Sequence, residues 1–490
     1  MALTLMRHWL SIAEGFGKIT AFFSLLMAAP AVVSVIFNDG LETIYISRAA
    51  GVFAVGALLA VVGRRWREEL NLRGGFLLVI TIWLILPAFA ALPLMAVLPN
   101  LSFVRAYFEA TSGLTASGAT VLSGLDAMPP SLNFWRAEMI WLGGMGLIVL
   151  AIAILPFLGV GGRGDMLQSE IPGPMKDQKL RPHITQVAKV LWLVYAGLTL
   201  LCALSYFVAG MNGLDAIMHA FTTLGLGGFS SHDASFAYFQ SPAIEAVAVL
   251  FMVVAGMNFA AHFTAWSQKS LAPYAGNLEC MAYIKLLAAA VLTVTVYLYA
   301  KGVYPDWLSA FRHGLFNTVS IATTTGYSNA DYGTWPLAAP LFMLLLANIT
   351  ACSGSTGGGI KLIRFLITVN QAKTERQKLL HPKAYYDNKT GVSLPQKIIN
   401  SVLFFVSAYF ATLLILMLLL TAAGMGFIEA FSSALACLSN TGPALGEVGP
   451  AATYGALPPA QTALLAAAML IGRLELLAFL VVLHRSFWRY

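Results

Sequence analysis

Charged side chains are scarce in this 490-residue sequence. Only 10% of the residues are Asp, Glu, Lys or Arg, whereas 58% are hydrophobic, and a soluble globular protein carries about 25% charged residues. Apolar stretches run almost from end to end, without the polar linkers that would separate several soluble domains. This composition excludes an ordinary soluble enzyme and predicts one multi-span membrane protein.

Catalytic motifs and paired cysteines are missing too. No HExxH or GxSxG motif occurs, and the eight histidines form no i, i+4 pair. The four cysteines form no CxxC pair, so we interpret them as small buried hydrophobic residues. The excess of 29 basic over 22 acidic residues is spread between apolar spans and forms no nucleic-acid-binding patch. The sequence predicts no catalytic residue, no tightly bound cofactor and no nucleic-acid partner.

Ten segments are long and apolar enough to cross a bilayer, which takes about 20 residues. They lie near 16–37, 45–63, 74–97, 134–158, 188–210, 241–265, 280–300, 336–370, 398–423 and 458–484. With a cytoplasmic N-terminus, 23 of the 29 Lys and Arg residues lie on the cytoplasmic side and only Arg105, Lys301 and Arg312 lie outside. Because short cytoplasmic loops retain Lys and Arg, we expect both termini to be cytoplasmic.

The outer segments are acidic, with ten Asp and Glu residues against three basic ones. A cleft lined by one sign of charge raises the local concentration of counter-ions, so this face would attract cations. The same bias also follows from the topology rule alone, which removes Lys and Arg from outer loops. Both explanations stay open at this point.

A fourfold internal repeat follows the first two predicted helices. Each outer loop begins with a helical stretch too short to cross the membrane and then turns glycine-rich. The four stretches are FEATSGLTASGATVL (108–122), HAFTTLGLGGFSSHD (219–233), FNTVSIATTTGYSNADY (316–332) and FSSALACLSNTGPALGE (431–447), with Gly118, Gly228, Gly326 and Gly442 in common. Such self-similarity predicts one supersecondary unit used four times. The unit is a helix, a re-entrant pore helix with its loop, and a second helix.

Irregular backbone at membrane depth is tolerated only where it is buried or lines a water-filled path, so we expect the four loops to surround one central pore. Gly adopts the backbone angles that point carbonyl oxygens at an ion, and the neighbouring Ser and Thr residues add hydroxyl oxygens without a charge. Potassium channels use four such carbonyl loops from four subunits. The alternative is that these small residues serve close helix packing, which explains one loop better than four in register.

At these residues the sequence resembles the membrane subunit of the Trk/Ktr/HKT superfamily of potassium transporters, specifically the bacterial Trk type. The resemblance covers essentially the whole chain. Further matching segments are FWRAEMIWLGGMGLIVLAIAILP (134–156), CSGSTGGGIKLIR (352–364), HPKA (381–384) and GRLE (472–475). Two extra N-terminal helices also resemble the Trk type rather than the shorter Ktr type. We therefore expect an all-α fold with two N-terminal helices and four pseudo-repeats around one pore.

The expected units are two N-terminal transmembrane helices and four pore repeats. Their ranges are 1–70 for the N-terminal helices and 71–165, 166–275, 276–385 and 386–490 for pore repeats one to four. The third repeat contains an intramembrane loop at 353–359.

The resemblance implies that backbone carbonyls at and just before each glycine bind K+. The filter residues it implies are Ala116, Ser117 and Gly118; Leu226, Gly227 and Gly228; Thr324, Thr325 and Gly326; and Asn440, Thr441 and Gly442. In some plant members a Ser in place of the first filter glycine accompanies Na+ permeation, so Gly118 favours K+. The first loop reads ASG where a common family pattern reads TTG, so a threonine hydroxyl is missing at Ala116.

The eighth predicted span, 336–370, contains a composition that breaks helices. The residues are Ser353, Gly354, Ser355, Thr356, Gly357, Gly358 and Gly359. A break in mid-span indicates an irregular loop that faces a cavity, with a packing kink as the alternative. The resemblance implies that this loop lies below the filter and acts as a gate.

Arg473 lies in the middle of the span predicted at 458–484, where a charge costs about 2.5–3.5 kcal/mol. Glu475 would not share its helix face, so Arg473 needs an interior path or a more distant acidic partner. The matching family arginine projects into the pore, and we expect Arg473 to discourage cation leakage through the closed gate. A purely structural salt bridge is the alternative. Lys361 follows the loop and is either part of the gate or an ordinary lysine at the inner boundary.

The resemblance also implies a cytosolic TrkA-type regulatory subunit that binds NAD and ATP, and a homodimer in the lipid of the bacterial inner membrane. The basic segment HPKAYYDNK (381–389) is a candidate docking or lipid-facing surface, or else a solvated loop. Coupled K+/H+ or K+/Na+ symport would need titratable groups along the path, and the filter triplets have none. The sequence therefore predicts a gated pore selective for K+ and Rb+, with symport as the alternative and an intramembrane enzyme as a distant one.

Overall fold

The computed structural model describes residues 2–66, 72–154, 180–380 and 395–488. Within these ranges the chain is helical and contains no strand. Six of the described helices are long and apolar enough to cross a membrane, or seven spans if one bent pair of helices is counted as one. The predicted fold class, an all-α multi-span membrane protein, is confirmed.

The first three helices form a tightly packed N-terminal group. They are α1 (Ala2–Leu26), α2 (Ala29–Phe37) and α3 (Glu42–Gly63). Helices α1 and α3 approach so closely that a Cβ atom on Gly17 would lie 2.4 Å from the backbone nitrogen of Ala60. A Cβ on Gly63 would lie 2.3 Å from the backbone nitrogen of Glu14. Glycines permit this contact, which is a common way for membrane helices to associate.

The remaining chain repeats one order of helices four times: a long helix, a short helix, and one or two further helices. The first group is α4 (Leu72–Val97), α5 (Phe103–Leu114) and α6 (Pro130–Ile154), and the second is α7 (Leu180–Val208), α8 (Gly213–Gly225), α9 (Pro242–Ala255) and α10 (Phe259–Gln268). After the small α11 (Ala272–Gly276), the third group is α12 (Leu278–Ala300), α13 (Trp307–Ala322), α14 (Ala338–Ala347) and α15 (Leu362–Leu380). The fourth is α16 (Gln396–Ala422), α17 (Phe427–Leu438), α18 (Pro459–Arg473) and α19 (Leu477–Leu483).

The four short helices α5, α8, α13 and α17 contain 12, 13, 16 and 12 residues. A helix rises 1.5 Å per residue, so none of them reaches across a hydrocarbon core of about 30 Å. Polar N-caps begin two of them, since Asn212 accepts a hydrogen bond from the backbone N–H of Asp215, and Asp306 accepts one from Ser309. Their last turns are fully buried, as expected of helices that end inside the protein.

Four of the predicted spans are interrupted in the part of the chain that the structure describes. The span predicted at 16–37 is divided between α1 and α2. Helices α9 and α10 meet at an angle of 96°, so the span predicted at 241–265 is bent. The predicted break in span 336–370 is confirmed, and the helix already ends at Ala347. The span predicted at 458–484 is divided between α18 and α19, because Glu475 and Leu476 adopt positive φ of 51° and 49°. A right-handed helix cannot continue through two such residues.

The buried apolar core surrounds the ends of the short helices, while the long helices expose apolar side chains outward. Large side chains such as Leu193 on α7 and Leu418 on α16 are 73% and 63% exposed. Exposed leucines on this scale are typical of helices whose outer face contacts lipid rather than water.

Candidate functional site

The four short helices end in the same hydrogen-bonded cap. In each, a backbone N–H donates to the carbonyl five residues earlier, which closes the helix and turns the chain back. The pairs are Ser117 to Ser112 at 2.8 Å, Gly227 to Thr222 at 3.1 Å, Thr325 to Ser320 at 2.8 Å and Thr441 to Ala436 at 2.8 Å. Four loops of different sequence thus leave the membrane-buried helices along the same path.

A left-handed residue precedes each of these amides. The residues are Ala116, Leu226, Thr324 and Asn440, with φ of 51°, 51°, 63° and 55°. Side chains strain this conformation, and it persists where the surrounding structure enforces it. Here the helix cap imposes the left-handed conformation at the first position of every predicted filter triplet.

Glycine is required at the third position of each triplet because the loops pack backbone against backbone. A Cβ atom on Gly118 would lie 2.2 Å from the carbonyl oxygen of Gly227, and one on Gly228 would lie 2.1 Å from that of Thr325. A Cβ on Gly326 would lie 2.3 Å from the Thr441 carbonyl oxygen, and one on Gly442 would lie 2.4 Å from that of Ser117. Each loop therefore packs on the next one in chain order, and the fourth loop packs on the first, so the four loops form a closed ring.

We call this arrangement the loop ring and define it by the twelve residues of the four predicted triplets. The glycine at the third position of each triplet also has positive φ, between 62° and 93°. One carbonyl from each loop therefore lies beside the glycine of its neighbour, in a layer made of uncharged oxygen atoms. Uncharged oxygen atoms in such a layer can replace the water molecules that hydrate a monovalent cation.

Hydroxyl pairs brace three of the four loops. Thr115 and Ser117 lie 2.7 Å apart, and the matching pairs in loops three and four, Thr323 with Thr325 and Ser439 with Thr441, lie 2.8 Å apart. The second loop has Gly225 and Gly227 at these positions, so it has no such pair.

Side chains in and around the loops make hydrogen bonds that the sequence did not predict. The amide nitrogen of Asn440 donates to the Ser117 hydroxyl at 2.8 Å and to the Met469 carbonyl at 3.0 Å. The Tyr454 hydroxyl donates to the Gly442 carbonyl at 2.8 Å, and the Tyr327 hydroxyl donates to the His219 carbonyl at 3.2 Å. Tyr454 and Tyr327 are fully buried aromatic residues that need a partner for their hydroxyl groups, which no motif in the sequence reveals.

Beyond the glycine side of the ring lies a cavity of about 120 Å³ that residues from all four loops line. Arg136 of α6 forms part of its wall. The Arg136 guanidinium bonds a Glu109 carboxylate oxygen at 2.9 Å, the Thr120 hydroxyl at 3.2 Å and the Ser230 carbonyl at 3.0 Å. Thr120 and Ser230 each follow their ring glycine by two residues, so Arg136 connects equivalent points of loops one and two. The sequence signals for Arg136 were its charge within a predicted span and its place in the matching segment 134–156.

Acidic groups and a histidine lie at the rim of this cavity. His232 lies 2.5 Å from Asp126 of the first loop and 3.1 Å from Asp215, and Asp233 accepts hydrogen bonds from the N–H groups of Gly124 and Leu125. Burial lowers the pKa of His232, but hydrogen bonds to both carboxylates raise it above its ordinary value overall. His232 follows the second loop in the chain and bonds to Asp126, which follows the first.

The broken span places residues 348–361 against the opposite face of the loop ring. The N–H of Gly358 donates to the Thr324 hydroxyl at 2.9 Å, and the Thr356 hydroxyl donates to the Leu224 carbonyl at 2.9 Å. A Cβ on Gly358 would lie only 2.0 Å from the Ser439 carbonyl oxygen. We call residues 353–361 the inner loop. It contacts the ends of three of the four short helices or their loops.

Arg473 ends α18 and is 1% exposed. Its guanidinium donates to the Gly143 carbonyl at 2.7 Å and to the Thr356 carbonyl of the inner loop at 3.2 Å. Glu475 does not pair with Arg473 and bonds Arg364 of α15 at 2.5 Å instead. Arg473 thereby joins the first, third and fourth helix groups directly beneath the ring.

Lys361 is 6% exposed, and its ammonium group donates to the Gly357 carbonyl within the inner loop. It is therefore a buried residue of the loop rather than an exposed lysine at a membrane boundary. The predicted docking segment 381–389 lies outside the described residues.

These features define a class of helical membrane protein in which one chain supplies four equivalent loops to a single ring. The family described as TrkH, cation transport protein, matches residues 44–490. The chain is 42% identical to the Trk system potassium uptake protein TrkH of Halomonas elongata, over 96% of this chain and 98% of that protein. It is 41% identical to TrkH of Escherichia coli K12, over 98% and 100%.

The crystal structure of the potassium transporter TrkH from Vibrio parahaemolyticus superimposes with a TM-score of 0.91 at 39% identity, covering 98% of this chain and 100% of that one. The chain belongs to the TrkH family of cation transport proteins. The family predicted from the sequence motifs is confirmed, and it is a family of transporters, not of enzymes.

Proposed function

We propose that this chain is the K+-conducting membrane subunit of a potassium uptake system, with the loop ring as its selectivity filter. The observation that carries the proposal is the cyclic packing of each ring glycine on a carbonyl oxygen of the next loop. Similarity to Trk system potassium uptake proteins over nearly the whole chain supports K+ as the transported ion.

Backbone carbonyls are the proposed ligands, and the twelve ring residues form the proposed filter. None of the twelve has a charged side chain, so a bound K+ is not held by a fixed negative charge and can leave in the direction of transport. Rb+ has similar coordination chemistry and is expected to permeate as well.

The four helix groups correspond to the proposed pore repeats at 71–165, 166–275, 276–385 and 386–490, which follow two N-terminal helices in 1–70. The proposed topology has both termini in the cytoplasm of a bacterium, the 120 Å³ cavity outside and the inner loop toward the cytoplasm. A membrane potential of about 150 mV would then supply roughly 3.5 kcal/mol per K+. That energy supports accumulation of several hundredfold without a coupled ion.

The inner loop is the proposed gate, with Arg473 and Lys361 as its cationic elements. Contacts of Thr356 and Gly358 with the short helices and loops above support this assignment, as does the bond from Arg473 to Thr356. A loop in this place obstructs the exit from the ring, and a guanidinium beneath a cation path repels K+. Opening would require the loop to break these hydrogen bonds together.

The chain is proposed to work with a cytosolic TrkA-type regulatory subunit that binds NAD and ATP, and to assemble as a homodimer in the inner membrane. Relatives bearing the name Trk system support a multi-component assembly. The proposed role of the regulatory subunit is to move the inner loop.

Cation flux into liposomes tests the proposed function. Purified protein would be reconstituted under a K+ gradient, and uptake of K+, Rb+, Na+ and Li+ compared with and without an imposed proton gradient. We expect K+ and Rb+ to follow the voltage alone, with Arg473→Ala as a variant that opens the path. Flux that requires a proton or Na+ gradient would replace the channel with a symporter, and equal flux of all four cations would reject the filter.

A further inference from the structure

Both ends of the inner loop meet at one carboxylate oxygen of a different helix. Glu279 lies in the first turn of α12 and is 4% exposed. Its Oε1 atom accepts a hydrogen bond from the N–H of Ser353 at 2.8 Å and another from the N–H of Ile363 at 3.1 Å. Ser353 begins the loop and Ile363 lies two residues beyond its end, so Glu279 closes the loop at its base.

The other bonds at the base are between neutral backbone groups. Cys352 donates to the Gly256 carbonyl at 3.0 Å, Phe259 donates to the Gly354 carbonyl at 3.1 Å, and Leu362 donates to the Ala351 carbonyl at 2.9 Å. Hydrogen bonds to an ionised carboxylate are shorter and roughly twice as strong as neutral ones. An ionised Glu279 thus makes stronger contacts at the base of the loop than these backbone pairs do.

Burial leaves the Glu279 carboxylate dependent on those two N–H groups. A buried charge is costly unless it is paired or hydrogen-bonded, and the nearby cation is Lys361 of the loop itself, whose charge interacts with that of Glu279. If the loop moved away from the ring, Glu279 would lose N–H donors and a cation at the same time. The carboxylate thus stabilises the docked loop much more than a displaced one.

We propose that Glu279 is a positioning residue that holds the inner loop in its closed position, and that release of Ser353 or Ile363 from Glu279 is a step of opening. This inference rests on the proposed gate. It concerns the equilibrium between the docked and displaced loop, and the residue touches neither the ring nor the ion path.

Substitution of Glu279 tests the inference through flux and through loop exposure. Glu279→Ala removes the acceptor, whereas Glu279→Gln keeps an oxygen at the same reach without the charge. In liposomes without the regulatory subunit, we expect K+ flux to rise about tenfold in Glu279→Ala, equivalent to about 1.4 kcal/mol, and less in Glu279→Gln. The K+/Na+ permeability ratio should stay at its wild-type value in both, because the filter is intact.

A matched control is Glu245→Gln. Glu245 is also a buried glutamate in the first turn of a helix, α9, but it pairs with Arg312 at 2.7 Å, far from the loop contacts. Its substitution should change neither flux nor selectivity. A similar rise in flux in this variant would mean that any lost buried carboxylate opens the protein, and the inference would be withdrawn.

Alkylation of Cys352 supplies a second readout that does not depend on transport. Cys352 is fully buried next to the loop, and the equally buried Cys202 and Cys437 serve as internal references. Peptide mass spectrometry after treatment with N-ethylmaleimide should show faster modification of Cys352 in Glu279→Ala, and unchanged references. If Glu279→Ala does not fold, the labelling of Glu279→Gln decides.

The failure of this inference and of the proposed gate are separable. If Arg473→Ala raises flux while Glu279→Ala changes neither flux nor Cys352 labelling, the role of Glu279 is rejected and the gate survives. If no variant of the loop, of Arg473 or of Glu279 raises flux, the gate itself is rejected. If Glu279→Ala and Glu279→Gln raise the flux equally, the role of Glu279 as a hydrogen-bond acceptor is rejected.

Discussion

The Cβ position of Gly118 lies 2.2 Å from the carbonyl oxygen of Gly227. This contact between the first two loops recurs three more times around the ring, so each loop is shaped by the backbone of its neighbour. Selectivity in such an arrangement depends on the whole ring, and a side chain at one glycine disturbs two loops at once.

Replacement of Gly118 by Ser is expected to lower the K+/Na+ permeability ratio about tenfold or more. The new Cβ must move the Gly227 carbonyl, and the backbone at φ of 81° disfavours any side chain. Reversal potentials under mixed K+ and Na+ gradients measure the ratio.

Gly124→Ala is the control for this substitution. Gly124 also has positive φ, at 75°, but no atom lies within 4 Å of its Cβ position. It therefore reports backbone strain without a clash in the ring, and its permeability ratio should equal that of the wild type. An unchanged ratio in Gly118→Ser would contradict the filter assignment.

Shortening of residues 354–359, or Arg473→Ala, is expected to raise ion flux in the absence of the regulatory subunit. The first change removes the contacts of Thr356 and Gly358 beneath the ring, and the second removes the hydrogen bond to the Thr356 carbonyl together with a positive charge. Flux assays in liposomes measure the effect. Arg312→Ala, whose guanidinium pairs with Glu245 and not with the inner loop, serves as the control. Wild-type flux in both gate variants would end the gate proposal.

Glu109→Gln is expected to weaken both stability and K+ uptake. The Arg136–Glu109 pair is almost completely buried, with side chains 1% and 0% exposed, and loss of one partner from a buried pair costs about 3–5 kcal/mol. An unneutralised Arg136 in the cavity wall would also repel K+, so half-maximal flux should require a higher external K+ concentration.

The double variant Glu109→Gln/Arg136→Gln separates these two effects. It removes the isolated charge, so the K+ concentration for half-maximal flux should return toward the wild-type value. Thermal unfolding in detergent reports the stability of each variant. If Glu109→Gln leaves the K+ concentration for half-maximal flux unchanged, the charge of Arg136 does not affect the ion.

The pair between His232 and Asp126 is expected to stabilise the rim of the cavity at low pH and to lose this effect at high pH. Burial lowers the pKa of His232, but its hydrogen bonds to Asp215 and Asp126 raise it overall in the folded protein. Burial raises the pKa of Asp126, but the hydrogen bonds from His232 and from the N–H of Asp233, with the charge of His232, together lower it. The stabilisation by His232 is therefore complete below about pH 6.5, the unfolded pKa, and disappears as the pH rises through the higher folded pKa.

Unfolding temperatures between pH 5 and 9 test this prediction. The difference between wild type and His232→Gln should be largest at the acid end and should shrink toward pH 9. A constant difference across the range would show that the proton on His232 does not contribute.

Much of this protein is predictable from residues that have few physical alternatives. A helix of about 20 apolar residues has one stable environment, and glycine recurs at 118, 228, 326 and 442 because only glycine fits those positions. The composition of 353–359 likewise indicated a broken span, and the motifs identified the family. These features are local in the sequence, so no knowledge of distant contacts was needed to find them.

Other features depend on contacts between distant residues and were decided by tertiary structure. The Arg473 guanidinium donates to the carbonyl groups of Gly143 and Thr356, 330 and 117 residues away. Glu279 reaches the inner loop over 74 and 84 residues, and Arg136 joins two loops through Ser230. A hydrogen bond forms only where folding brings donor and acceptor within about 3 Å, and the sequence alone carries no sign of which carbonyl that will be.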